Sequence, residues 1–198
     1  ADVIQFTDVA STEVSFERRA DNLVLKRGTS GDQITLNNFY GYYYYYPSIY
    51  APAQVEQFRF TDTTLDANAV MSRAVTYGTS GADNLTAYYA PTGQSGFLGD
   101  GNDGYQGSQF ADTINLEAGD DYVSAYGGND TLDGGLGNDT LYGNDGNDTL
   151  RGADGADTIG AGTGNDTVTG GTGNDTISDE GGTDTYLRRQ TDGETVAD

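Results

Sequence analysis

Gly134-Gly135-Leu136-Gly137-Asn138-Asp139-Thr140-Leu141-Tyr142 is the stretch that decides the fold. From Leu98 onward the chain aligns with itself every nine residues, without a gap, for ten such units. The sixth position is always Asp: Asp103, Asp112, Asp121, Asp130, Asp139, Asp148, Asp157, Asp166, Asp175 and Asp184. The fourth is Gly in nine units, with Phe110 the exception. The eighth is always apolar or aromatic: Tyr105, Ile114, Val123, Leu132, Leu141, Leu150, Ile159, Val168, Ile177 and Tyr186. Glycines at several loop positions permit φ > 0 and a tight turn. The Asn-Asp pair tolerates left-handed backbone and caps turns. Thr, the apolar residue and the residue after it then form a three-residue strand. One apolar side chain per unit cannot form a core, but stacked units line these side chains into a continuous ladder. Neighbouring coils supply the strand hydrogen bonds.

The charge pattern points the same way. The 198 residues include 31 acidic and 9 basic side chains, a formal net of −22. Asp outnumbers Glu by 25 to 6. Glu is the better helix former and Asp the better turn former, so the acids mark turns. Residues 1–97 carry a net −4 and residues 98–198 a net −18. So dense a single-sign field resists compaction unless counter-ions neutralise it. It also argues against a nucleic-acid partner, whose phosphates would be repelled.

The chain has no Cys and no His. That removes disulfides, thiolate and imidazole metal sites, and the Ser-His-Asp and Cys-His nucleophile systems. The acids sit at repeat positions and leave no isolated carboxylate pair for glycoside hydrolysis, so no catalysis is expected of this chain. No apolar run approaches ~18–20 residues, so no membrane insertion is expected. Ala1-Asp2-Val3-Ile4 lacks the basic and apolar regions of a leader peptide. The abrupt ends read as those of a fragment of a larger protein.

Residues 1–66 carry segments of ordinary strand length. Val3-Ile4-Gln5-Phe6, Glu13-Val14-Ser15-Phe16, Asn22-Leu23-Val24-Leu25-Lys26, Gln33-Ile34-Thr35-Leu36 and Val55-Glu56-Gln57-Phe58-Arg59-Phe60 read as strands. Gly28-Thr29-Ser30-Gly31-Asp32 reads as a hairpin turn. A Tyr-rich stretch runs from Tyr40 to Tyr50, with Pro47 and Pro52 closing it. Residues 67–97 read as a junction. Within it, Gly78-Thr79-Ser80-Gly81-Ala82-Asp83-Asn84-Leu85-Thr86 has the form of a repeat but lies two residues out of phase with the later ten. Ala87 to Phe97 is expected to absorb that slip and bulge out, and a short helix is expected near Asp66–Arg73. Residues 188–198 read as a C-terminal tail.

The repeats resemble the RTX (repeats-in-toxin) family, whose unit is Gly-Gly-x-Gly-x-Asp-x-apolar-x. The resemblance implies an all-β fold, a right-handed parallel β-roll over residues 98–187 with two units per coil, about five coils in all. It implies Ca²⁺ between loops 18 residues apart. The earlier loop supplies carbonyls from its second and fourth positions and its Asp. The later loop supplies carbonyls from its first and third positions and its Asp. By that rule one ion falls among Gly135, Gly137, Asp139, Gly152, Asp154 and Asp157. A second falls among Asn144, Gly146, Asp148, Ala161, Thr163 and Asp166. A third takes Ala153, Gly155, Asp157, Gly170, Thr172 and Asp175, and a fourth Gly162, Gly164, Asp166, Asp179, Gly181 and Asp184. Upstream the rule reaches Gly99, Gly101, Asp103, Asp112, Gly119, Asp121, Gly128 and Asp130, with Gly134, Leu136, Gly143 and Asp145 as partners from the following loops. Six oxygens with two carboxylates suit Ca²⁺ better than Mg²⁺, which demands stricter octahedral geometry.

Ten loops in register offer eight inter-loop sites, and the expectation is about 5–8 ions. Eight divalent ions bring 16 positive charges, which reduce the formal −22 to −6. Binding energy then becomes folding energy. Phe110, Leu98, Ser108, Glu117 and Tyr126 depart from the glycine pattern and weaken the N-terminal sites. Residues 1–66 resemble the haemolysin-type calcium-binding-related domain. The matching stretches are Val14–Arg18, Asn22–Leu25, Gly31–Phe39 and Gln57–Asp62, and Asp62-Thr63 stands where that domain usually has Asp-Gly. This implies a small β cap on the first coil. The family resemblance further implies a Gram-negative bacterial protein that reaches the cell exterior through type I secretion machinery.

Other readings fare worse. A disordered acidic chain has no use for a regular apolar eighth position. No twelve-residue EF-hand loop ends in the required Glu. An adhesive or carbohydrate-binding module, taking a polysaccharide or cell-surface ligand, rests on Tyr42–Tyr46 alone.

Overall fold

The computed structural model describes residues 2–6, 9–19, 22–27, 33–36, 55–59, 64–66, 70, 74–87, 93–187 and 195–197. The expected turn at residues 28–32, the Tyr-rich stretch and most of the expected helix near Asp66–Arg73 lie outside them. The chain divides into two compact units, Ala1–Tyr77 and Gly78–Asp198.

The first unit contains β1 (Asp2–Gln5), a 3-10 turn (Ser11–Glu13), β2 (Val14–Arg19), β3 (Asn22–Arg27), β4 (Gln33–Leu36), β5 (Val55–Arg59), β6 (Thr64–Asp66) and β7 (Val75–Tyr77). Strands β2, β3 and β4 form an antiparallel meander with Phe16 opposite Leu25 and Leu25 opposite Ile34. β7 joins β2 in parallel, with Val75 opposite Glu17. A second sheet pairs β1 with β5 in parallel and β5 with β6 antiparallel. Leu23, Val24 and Leu25 are all buried, so β3 is a continuous apolar run covered on both faces.

The second unit is built almost wholly of short parallel strands. In chain order they are β8 (Asn84–Thr86), β9 (Ser95–Phe97), β10 (Gly104–Gln106), β11 (Thr113–Asn115), β12 (Tyr122–Ser124), β13 (Thr131–Leu136) and β14 (Thr140–Asp145). There follow β15 (Thr149–Asp154), β16 (Thr158–Gly164), β17 (Thr167–Thr172), β18 (Thr176–Ser178), β19 (Gly181–Gly182), β20 (Thr185–Tyr186) and β21 (Thr195–Ala197). Successive strands alternate between two sheets. One runs β8–β10–β12–β14–β16–β18–β21, and the other contains β9–β11–β13–β15–β17–β20. Leu132 stands opposite Leu150 and Leu141 opposite Ile159, a register of 18 residues, or two units per coil.

This is a parallel β-solenoid of six coils, one more than the ten in-phase units imply. The extra coil comes from the junction. The register between β8 and β10 is 20 residues, Leu85 opposite Tyr105, which absorbs the two-residue slip. Of the stretch Ala87–Phe97, expected to bulge out, the described residues do not: Ala87 is buried and donates its N–H to the Gln106 carbonyl at 2.6 Å, and residues 95–97 pair with the next coil. They form β9, with Gly96 opposite Ile114, and Thr113 donates its N–H to the Gln94 carbonyl at 2.7 Å. Gln94 stands where a sixth-position Asp would stand, so the sequence period shows only the Gly78–Thr86 half of this coil. Part of the tail is also strand: β21 pairs with β18, Val196 opposite Ile177.

The core is the eighth-position ladder. Tyr105, Ile114, Val123, Leu132, Leu141, Leu150, Ile159, Val168 and Ile177 are buried to within 2% of full exclusion. Leu98, Leu116, Ala125 and Ala161, at first positions, pack into the same cluster.

Candidate metal centre

Each loop is shaped by what the next coil leaves room for. Gly137, Gly155 and Gly164, at fourth positions, have φ of 125°, 143° and 138°. A Cβ on Gly155 would fall on the Gly137 carbonyl oxygen, so only glycine fits. Second positions are left-handed too, except at Ser108 and Glu180. Gly135 has φ 100°, but so do side-chain-bearing Glu117 (72°), Tyr126 (73°), Asn144 (72°) and Ala153 (83°). A non-glycine residue there carries roughly 1–2 kcal/mol of strain, less for Asn.

First-position glycines have a different reason. Gly134 is not left-handed, yet a Cβ on it would overlap Asp139 Oδ2 and lie 2.7 Å from the Gly152 carbonyl oxygen. Gly143 stands in the same relation to Asp148 and the Ala161 carbonyl, and Gly152 to Asp157 and the Gly170 carbonyl. A carboxylate oxygen and a carbonyl of the following coil thus share a cradle kept free of side chains.

The sixth-position Asp residues form two buried columns. Asp139 donates its N–H to Asp157 Oδ1 at 2.8 Å, and Asp157 donates to Asp175 Oδ1 at 2.9 Å. The same bond links Asp103 to Asp121, Asp121 to Asp139, Asp112 to Asp130, Asp130 to Asp148, Asp148 to Asp166 and Asp166 to Asp184. One oxygen of each carboxylate is therefore satisfied. The other is not. The Oδ2 atoms of Asp103, Asp121, Asp130, Asp139, Asp148, Asp157, Asp166 and Asp175 are buried without a hydrogen-bond partner. Burial pushes the Asp130 and Asp139 carboxyls up to about 7 and those of Asp121, Asp148 and Asp157 up to about 6. Repulsion from column neighbours adds to the rise, against the lowering effect of the N–H bonds.

Two loops resolve the problem without an ion. Ser108 donates its N–H to Asp112 Oδ2 at 2.8 Å and its hydroxyl to Asp112 Oδ1 at 3.1 Å, while Gln94 N–H reaches Oδ1 at 2.6 Å. Thr79 donates its N–H to Asp83 Oδ2 at 2.6 Å and its hydroxyl to the same oxygen at 3.0 Å. Both loops carry a hydroxyl residue at the second position. In neither is the fourth position, Phe110 or Gly81, left-handed. That relaxed backbone is why Phe is tolerated at 110. At Leu98 and Leu116 a fully buried Leu occupies the first position that Gly134, Gly143 and Gly152 keep clear.

The implied carbonyl ligands divide into two groups. First-position carbonyls, such as those of Gly152, Ala161 and Gly170, lie beside the orphan Oδ2 atoms. Second- and third-position carbonyls also accept ladder bonds across the same gap: Glu117 from Leu136 N–H at 2.8 Å, and Asp154 from Gly137 N–H at 2.8 Å. A carbonyl has a second lone pair, so these bonds leave ligand capacity. The fifth position has a role that turn propensity does not reveal. Asn138 Oδ1 accepts the Ala156 N–H at 2.9 Å, Asn147 the Asn165 N–H at 2.7 Å, and Asn165 the Thr183 N–H at 2.9 Å. These side chains form a second ladder, bonded in the opposite sense to the Asp columns.

Buried carboxylate oxygens without donors, set beside backbone carbonyls in a site with no nitrogen or sulfur ligand, fit a hard oxygen-seeking cation. The fold and this donor set define a class: a parallel β-solenoid with cation sites stacked between its coils. Residues 97–132, 124–159 and 160–187 match the family described as RTX calcium-binding nonapeptide repeat (4 copies). Residues 22–69 match the family described as haemolysin-type calcium binding protein related domain. Through these segments the chain belongs to the RTX haemolysin-type calcium-binding repeat proteins, whose nonapeptides bind calcium. No curated protein and no solved structure matches the chain. Among the described residues, no helix is long and apolar enough to cross a membrane.

Proposed function

We propose that this chain is a calcium-gated folding module, itself non-catalytic, of a larger protein that a Gram-negative bacterium exports by type I secretion. The observation that carries the reading is the set of buried Asp Oδ2 atoms with no donor. Seven gaps hold such an oxygen between two column Asp residues. Four lie along Asp103, Asp121, Asp139, Asp157 and Asp175, and three along Asp130, Asp148, Asp166 and Asp184. The Asp112–Asp130 gap is left out because Ser108 already holds the Asp112 carboxylate. Seven ions is therefore the count for this module.

Calcium in these gaps supplies positive charge to carboxylates stacked in buried columns, where burial and repulsion push those of Asp121, Asp130, Asp139, Asp148 and Asp157 up. Without it, the glycine-rich loops lose more entropy on ordering than one apolar residue per unit returns. Where calcium is scarce, inside the cell, the chain stays unfolded and fit for export. At millimolar calcium outside, it folds. Far-UV circular dichroism in EDTA, followed by titration with Ca²⁺ and with Mg²⁺ as control, tests the folding step. A cooperative coil-to-β transition specific to Ca²⁺, with calorimetric uptake of seven ions, is expected. A β spectrum unchanged in EDTA sinks the gating. For export, the parent protein with column Asp residues changed to Asn is expected to reach the medium poorly folded; unchanged folding and yield sinks the secretion role.

A further inference from the structure

The last gap differs from the other six. One carboxylate oxygen each from Asp166, Asp179 and Asp184 lies within 4.8 Å of the others. Asp166 is 1% exposed, its Oδ2 has no hydrogen-bond partner, and its N–H donates to Asp184 Oδ1 at 2.8 Å. Asp179 occupies the first position of its loop, where the other nine in-phase units hold Gly, Ala or Leu. Its Oδ1 accepts the Glu180 N–H at 2.8 Å, which fixes the carboxylate on the loop. Among the described residues this is the one place where three Asp or Glu carboxylates converge so closely.

We propose that Asp179 is an additional anionic ligand, which makes the Asp166–Asp179–Asp184 cluster a three-carboxylate cation site. It is filled first as calcium rises and favours trivalent lanthanides over the two-carboxylate gaps. The inference rests on the calcium reading above and deepens it by ranking one site. The reason is charge count. Two carboxylates neutralise one Ca²⁺. A third leaves the occupied site at −1 with Ca²⁺ and neutral with a trivalent ion, so attraction for the incoming cation is stronger in both cases. Calcium sites tune affinity over several decades by ligand charge and rigidity. The buried, donorless Asp166 Oδ2 supplies the ligand that an exposed acidic cluster lacks.

The test uses the full chain. Terbium is titrated with tyrosine-excited luminescence as readout, and calcium by calorimetry, for the wild type, Asp179→Asn, Asp179→Gly and Asp100→Asn. Asp100→Asn removes one exposed charge from a loop distant in the chain from Asp179 and controls for net charge. The wild type is expected to show one tight step before the rest. Asp179→Asn and Asp179→Gly should weaken that step roughly tenfold or more, in line with the dependence of such sites on ligand charge. Asp100→Asn should stay within about twofold, since its exposed side chain belongs to no carboxylate cluster. Asp179→Gly restores the residue most loops hold, so it should still reach the wild-type β spectrum at saturating calcium even if Asp179→Asn folds poorly. Equal effects of the Asp179 and Asp100 changes would overturn the proposal. A wild type that binds neither ion would instead overturn the calcium reading beneath it.

Discussion

Replacing Asp157 by Asn should move the module's stability in opposite directions with and without calcium. Asp157 sits mid-column. Its Oδ1 accepts the Asp139 N–H at 2.8 Å, and its Oδ2 is buried without a donor beside the Gly170 carbonyl. Asn keeps the accepting oxygen and puts an N–H₂ donor where the orphan oxygen lies. Burial first, then repulsion from Asp175 and Asp154, pushes the Asp157 carboxyl from 3.8 to about 6. At 1.36 kcal/mol per pKa unit, keeping it ionised at pH 7.5 costs the calcium-free fold on the order of 3 kcal/mol. Asn removes that cost. In calcium the balance reverses, because Asp157 faces two gaps and each loses one of its two carboxylates. A tenfold weaker site on each side amounts to about 1.4 kcal/mol apiece, or roughly 3 kcal/mol together. The assay is far-UV circular dichroism in EDTA across a stabilising osmolyte series, then a calcium titration. The variant should acquire β signal at lower osmolyte than the wild type, but fill two of its sites only at about tenfold higher calcium. Asp112→Asn should leave the uptake unchanged. If Asp157→Asn is less folded in EDTA, or loses no more calcium than Asp112→Asn, the orphan-oxygen argument fails.

Three further outcomes follow from the same geometry. Gly155→Ala places a Cβ on the Gly137 carbonyl at a φ of 143°, so calcium-induced folding should be lost or cost at least about 3 kcal/mol in urea melts; a wild-type midpoint refutes the stacking. Leu141→Ala empties a fully buried place in the ladder and should cost about 2–5 kcal/mol in calcium-saturated urea unfolding, whereas Leu136→Ala, 57% exposed, should cost little. Acidity should act with opposite sign in the two states. The raised carboxyls of Asp130 and Asp139, about 7, stabilise the calcium-free fold fully below the unfolded value near 3.8, and that contribution is lost as pH rises through about 7. In EDTA, lowering pH from 8 to 5 should therefore raise the β signal. In calcium, the same change should shift the titration midpoint upward, as protons compete for the ligands. A flat EDTA profile between those pH values counts against the buried columns.

Much was legible in the sequence because every coil repeats the same local problem. Asp at each sixth position, an apolar eighth position from Tyr105 to Tyr186 and near-invariant Gly at the fourth were enough to specify stacked short strands, while the 18-residue pitch and the cation sites between loops came from the resemblance to RTX repeats. Period and residue chemistry survive in one dimension because each unit contacts only its neighbours. What the sequence left open depends on contacts that break the period. Half of the first coil, Gly78–Thr86, was legible as an out-of-phase repeat, but its other half was hidden because Gln94 and Gly96 stand where Asp and an apolar residue would be, and only the pairing of Gly96 with Ile114 reveals it. Ser108 and Thr79 read as mere departures until their hydroxyls are found on the carboxylates of Asp112 and Asp83, closing those loops without an ion. The fifth-position Asn residues were credited with turn propensity, yet Asn138 and Asn147 bond the next coil 18 residues away. A side chain's partner one coil along is fixed by register rather than by its neighbours in the chain, so whether a carboxylate faces a hydroxyl, an amide or an open cradle was decided only when the coils stacked.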